Sequence, residues 1–126
     1  MRDGKTMVLY VEDEPSLTEL LRTGLGLFGM TVCPIYCSAE ELLSKIGSRE
    51  YAEADILFLD IRLPGLTGLE LAKHLRMDGE ARPIVIVSAY NRPDSAVLDE
   101  ISAAFQPKPF DFDEIVHTIQ TLVKPA

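Results

Sequence analysis

Three stretches of this chain, at 7–11, 56–59 and 84–87, are apolar without a break (Met-Val-Leu-Tyr-Val, Ile-Leu-Phe-Leu and Ile-Val-Ile-Val). An uninterrupted apolar run is buried on both faces, as a central strand of a parallel sheet is. With their terminal polar residues these runs predict strands at 7–11, 56–60 and 84–88. Two further β-type stretches, 31–36 and 104–108, contain Pro34 and Pro107. Proline has no N–H to give to a ladder, so both are predicted at sheet edges. Between the strands the apolar spacing becomes helical. Leu17, Leu20, Leu21, Leu25 and Phe28 form a stripe that Gly29 ends. Ser38 and Glu41 read as a capping box that opens a helix with Leu42, Leu43 and Ile46 inward. Thr67 and Glu70 read as another, stapled by Leu66 and Leu71. Asp94 is placed to cap a short helix carrying Val97 and Ile101. Asp111 caps the last helix, with Phe110 stapled to Ile115 and Val116, Ile119 and Leu122 continuing its face.

Strands alternating with helices predict an α/β chain of (βα)5 form. Right-handed crossovers then place helices on both sides of one five-stranded parallel sheet. With the second and fifth strands outside, the order is 2-1-3-4-5, a flavodoxin-like, doubly wound arrangement. Its switch point lies between the first and third strands, so a ligand site is expected at their carboxyl ends.

Those ends are acidic. The first strand runs into Glu12-Asp13-Glu14, and the third ends in Asp60. Glu14 reads as a helix-capping acid, whereas Glu12, Asp13 and Asp60 are expected to converge. Two carboxylates about 5 Å apart repel by roughly 3 kcal/mol at an effective dielectric of 20, so three such pairs approach ~10 kcal/mol as an upper figure. A cluster of that kind calls for a divalent cation. An oxygen-only donor set of few carboxylates, with room for water and phosphate, suits Mg²⁺. Ser88 at the end of the fourth strand adds a hydroxyl, and Lys108 at the end of the fifth adds an ammonium. Together these are the parts a phosphoryl group requires.

Composition narrows the class further. The chain has 126 residues, 47% of them hydrophobic, which suits one domain over 1–126 with a core large enough to need no disulfide or structural metal. Its net charge of −8 argues against a nucleic-acid clamp or an anionic-membrane binder. No apolar run is long enough to cross a bilayer. Cys33 and Cys37 lie roughly 13 Å apart along an extended chain, too far for a disulfide, and read as small core or edge residues in a reducing cytoplasm. His74 and His117 stand alone, without zinc-site spacing.

Val11-Glu12-Asp13-Glu14-Pro15, Leu59-Asp60-Ile61-Arg62-Leu63-Pro64-Gly65, Thr67-Gly68-Leu69-Glu70, Ser88-Ala89 and Lys108-Pro109-Phe110 occur in this order. In these motifs, over residues 7–123, the sequence resembles the receiver domain of two-component response regulators, in the stand-alone, chemotaxis-regulator-like form. The resemblance implies a phosphoprotein of a phosphorelay. Asp60 would accept a phosphoryl group from a sensor histidine kinase or a phosphotransfer protein. Glu12, Asp13, Asp60 and the Arg62 carbonyl would hold Mg²⁺. Ser88 and Lys108 would bind phosphoryl oxygens, and the Lys108–Pro109 bond would be cis. Ser88 and Phe105 would form the switch that alters the surface of the fourth predicted helix, the fifth strand and the fifth helix for a downstream protein target. Glu12 departs from the commoner aspartate, reaching one methylene further. Asn91-Arg92-Pro93 interrupts the start of the fourth predicted helix. Arg62 and Tyr90, each two residues beyond a site residue, are placed to overhang the phosphoryl group and to slow self-dephosphorylation.

Three rivals share features of this reading. A haloacid-dehalogenase-type phosphatase also uses a strand-end aspartate, but wants a second acid where Arg62 stands. A flavodoxin must cradle a flavin phosphate in its first loop, where Glu12-Asp13-Glu14 would repel it. A phosphorylation-independent protein-interaction module on the same fold is the third.

Overall fold

The structure is a computed structural model that describes residues 5–90 and 92–123. It consists of β1 (Thr6–Val11), α1 (Pro15–Gly26), β2 (Met30–Tyr36), α2 (Ala39–Ser44), α3 (Arg49–Glu53), β3 (Ile56–Asp60), α4 (Gly68–Met77), β4 (Ile84–Ser88), α5 (Ser95–Glu100), β5 (Ala103–Pro107) and α6 (Phe112–Leu122). The strands form one parallel sheet in the order β2-β1-β3-β4-β5, with the two proline-bearing strands at its edges as predicted.

Alternation along each strand divides the core. Leu9, Val11, Leu57, Leu59, Ile84 and Ile86 face α2, α3, α4 and α5. Val8, Tyr10, Ile56, Phe58, Val85 and Val87 face α1 and α6. Every residue of β3 and β4 is buried, which accounts for their unbroken apolar runs.

The helices depart from expectation in instructive places. The single helix predicted between β2 and β3 is two. Ser38 accepts from the Glu41 N–H at 3.1 Å, but the Glu41 carboxylate takes the N–H of Cys37 at 2.6 Å rather than that of Ser38, so only half of the expected box forms. The chain leaves α2 at Ser44, turns through Gly47 at φ +97°, and restarts at Ser48, whose hydroxyl accepts from Tyr51 N–H at 3.2 Å. Tyr51 then fills the interior, and Ile46, expected inward, is exposed. In α1 the buried face is Thr18, Leu21, Gly24 and Leu25, while Leu20 and Phe28 are exposed. Gly24 sits on the inner face because the Phe112 ring occupies the space a Cβ would need. In α5 the inward residue is Leu98, with Val97 exposed and Ile101 buried just beyond the helix. Asn91 lies outside the described residues. Cys33 and Cys37 are both exposed, so neither is a core residue. Among the described residues no helix is long and apolar enough to cross a membrane.

Candidate functional site

Register builds the centre of the site. Tyr10 pairs with Phe58 across β1 and β3. Glu12 and Asp60 each stand two residues further on, and a strand repeats its facing every second residue. Both acids therefore rise on the same side of the sheet, beyond two packed rings, and both are 4% exposed. Lys108, just past β5, reaches in from the next strand but one. Its Nζ donates to Asp60 Oδ2 at 2.6 Å and to Glu12 Oε1 at 2.7 Å. Its backbone is fixed by a bond from its N–H to the Ser88 carbonyl at 2.8 Å, and the Lys108–Pro109 peptide is cis.

One ammonium thus serves two buried carboxylates. Burial, and then the neighbouring Asp60, push Glu12 up to about 7 against the pull of Lys108. Burial also works against the charge on Lys108, but its bonds to Asp60 and Glu12 outweigh this and hold it above its ordinary value. The site is short of positive charge.

The remaining candidates are placed unequally. Asp60 Oδ1 accepts from the Arg62 N–H at 3.0 Å, which brings the loop after β3 back over the acid. Ser88 is buried at the end of β4, where its hydroxyl accepts from the Tyr90 N–H at 3.0 Å rather than meeting the Asp60 carboxylate or the Lys108 ammonium. The Arg62 guanidinium lies 4.3 Å from the centre of the Tyr90 ring, so the two flanking residues stack on each other at the rim. Phe105 is half-buried in β5 against the α2–α5 side of the core, with the Arg92 guanidinium 5.7 Å from its ring. Asp13 is exposed, and among the described residues no group of three or more acids, histidines or cysteines is arranged around a common metal position. The expected three-acid convergence is therefore a buried pair, with Asp13 next to it in the chain. Asp13 lies beyond the end of β1, in the bend that leads into α1, and is exposed there.

Two contributors went unread in the sequence. Tyr10 donates its hydroxyl to Glu12 Oε1 at 3.1 Å. Its signal was an aromatic with a polar tip two residues before an acid, on the same strand face. Glu40 of α2 accepts from the Leu66 N–H at 3.1 Å and so ties down the loop between Asp60 and α4. No local sequence pattern marks that contact, because the partners lie 26 residues apart.

A doubly wound sheet with an acid pair and a lysine at its switch point defines a receiver domain, and the chain belongs to that family. Its residues 8–120 match the response regulator receiver domain. It is 33% identical over 119 residues to the DNA-binding transcriptional regulator NtrC of Salmonella typhimurium, covering 93% of this chain and 24% of that protein. It is also 33% identical over 119 residues to the two-component response regulator PhoP of Pseudomonas aeruginosa, covering 93% of this chain and 51% of that one. The chain thus spans about a quarter of the first of these curated relatives and about half of the second. The structure of the response regulator TrrA from Thermotoga maritima, in complex with Mg²⁺ and BeF, superposes with a TM-score of 0.79 at 30% identity, covering 93% of this chain and 98% of that one.

The residues present fit the cation that the family implies. The donors the resemblance implies are carboxylates and a backbone carbonyl, all hard oxygens, and Mg²⁺ is commonly held by only one or two carboxylates together with water and phosphate oxygens.

Proposed function

We propose that residues 1–126 act as one phosphorylation-operated signalling switch. Asp60 accepts a phosphoryl group from a phosphohistidine of a sensor kinase or phosphotransfer protein. The supporting observation is the buried Glu12–Lys108–Asp60 cluster: a carboxylate nucleophile held by an ammonium at 2.6 Å, with a second acid beside it. An Asp60 oxygen attacks phosphorus in line, the donor P–N bond breaks, and the imidazole departs with its electron pair. No base is needed, because the nucleophile is already an anion. Lys108 holds Asp60 in place and then pairs with a phosphoryl oxygen. Mg²⁺, held by Glu12, Asp13, Asp60 and the Arg62 carbonyl, would supply positive charge to the transferring oxygens. The role is that of a phosphoacceptor domain rather than a turnover enzyme, in a cytoplasmic setting.

The switch runs through Ser88. Its hydroxyl accepts from Tyr90 in the present state and turns to donate to the new phosphoryl oxygen. Phe105 then repacks inward from its half-buried position under Arg92, which alters the α5–β5–α6 surface. A net charge of −8 makes a protein, rather than a nucleic acid, the partner of that surface.

The test is intact mass after incubation with acetyl phosphate, with and without Mg²⁺. One phosphoryl group is expected with Mg²⁺ and none on Asp60→Asn. Failure to acquire phosphate would favour a phosphorylation-independent interaction module. The stacked Arg62 and Tyr90 cover the approach to the acyl phosphate and slow attack by water. Arg62→Ala and Tyr90→Ala should each shorten the half-life of the phosphorylated protein severalfold, and an unchanged half-life in both would remove that role.

A further inference from the structure

We propose that Tyr10 is a positioning residue for Glu12, which compensates for the extra length of glutamate at a metal-binding position. The inference rests on the reading of Glu12 as a Mg²⁺ ligand. A glutamate has one more rotatable bond than an aspartate, so its carboxylate samples more positions and loses more freedom when it binds. The Tyr10 hydroxyl restricts that freedom. It donates to Glu12 Oε1 at 3.1 Å from two residues back on the same strand face. The ring that carries it is fixed: Tyr10 is 1% exposed and meets Phe58 edge-on, with centroids 6.3 Å apart and planes at 81°. Lys108 Nζ takes the same Oε1 at 2.7 Å. Two donors on one oxygen orient the carboxylate. An aspartate at position 12 would be too short to meet the hydroxyl, so the pair functions as a unit.

The experiment is a double-mutant cycle on Mg²⁺ affinity, measured by calorimetric titration of the unphosphorylated protein. Tyr10→Phe keeps the ring and its contact with Phe58, and melting without Mg²⁺ verifies the fold. Tyr10→Phe should weaken Mg²⁺ binding about tenfold in the natural chain, as loss of an outer hydrogen bond to a metal ligand does. In the Glu12→Asp background the same substitution should change affinity by roughly twofold at most. Equal weakening in both backgrounds would show general loosening of the core and overturn the proposal. Unchanged affinity of Tyr10→Phe, with Mg²⁺ still bound by the natural chain and weakened by Glu12→Asp, would overturn the proposal alone. No Mg²⁺ binding by the natural chain would overturn the reading of Glu12 as a ligand, and this proposal with it.

Discussion

Arg82 and Lys108 solve opposite electrostatic problems at the two ends of the sheet. Lys108 is one cation for two buried acids, and burial, then the neighbouring Asp60, push Glu12 up to about 7 against its pull. Arg82, at the amino end of β4, is matched to a single acid. It donates to Glu80 Oε1 at 2.7 Å and Oε2 at 2.8 Å, and to the carbonyls of Tyr51 and Ala54 at 2.6 and 2.9 Å. Tyr51 adds its hydroxyl to Glu80 at 2.6 Å. Arg82 above all, helped by Tyr51, holds the Glu80 carboxyl down at about 2, against the contrary effect of burial. A carboxyl whose folded value is depressed contributes stability above its unfolded value, and loses it as pH falls through the folded one. The contribution of Glu80 is therefore present above pH 4.5 and disappears between 4.5 and about 2. With solvent screening allowed for, about 1–2 kcal/mol is at stake. Melting curves across that window should show Glu80→Gln less stable than the natural chain at pH 6 and nearly level with it at the acid end. A constant gap at every pH would contradict the assignment.

Two glycines show how helices are set relative to the site. Gly68 opens α4, and a Cβ there would overlap the carbonyl oxygen of Asp60, so the helix starts directly against the Asp60 backbone. Gly24 in α1 gives its space to the Phe112 ring, on the far side of the sheet from α4. Overpacking of either kind costs roughly 1–3 kcal/mol. Gly68→Ala should lower the melting temperature and also slow phosphorylation by acetyl phosphate, because the strand end must shift. Gly24→Ala should lower the melting temperature, with part of the loss returned by alanine's better helix propensity, about 1 kcal/mol, and leave phosphorylation unchanged. A normal phosphorylation rate in Gly68→Ala would separate α4 from the site. This level of the structure was the least legible in the sequence. The Thr67–Glu70 capping box was readable because both partners are local, at 3.1 and 2.9 Å. The break between α2 and α3 was not. It depends on Glu41 choosing the N–H of Cys37 and on Tyr51 finding Glu80, a partner 29 residues away. The exposure of Leu20 and the burial of Gly24 likewise follow from what α6 presents, which periodicity in α1 alone does not contain.

For the molecule as a whole, the topology was legible because each step had a physical cause. Unbroken apolar runs required central strands, Pro34 and Pro107 required edges, and the doubly wound order that meets both is β2-β1-β3-β4-β5. That order brings Glu12, Asp60 and Lys108 together from three strands spread over 96 residues of sequence. What it does not fix is side-chain direction past a strand end. Asp13, expected in the buried cluster, is exposed next to it in the chain, and Ser88 is engaged with Tyr90 rather than with Asp60. The central claim is that this cluster makes one carboxylate, Asp60, the phosphoacceptor. It is tested most directly by incubating the protein with acetyl phosphate and Mg²⁺, reducing the acyl phosphate with borohydride, and mapping the product by tandem mass spectrometry. The account predicts homoserine at position 60 and nowhere else. Homoserine at position 13, or an intact aspartate at 60 in protein that carries a phosphoryl group, would contradict it.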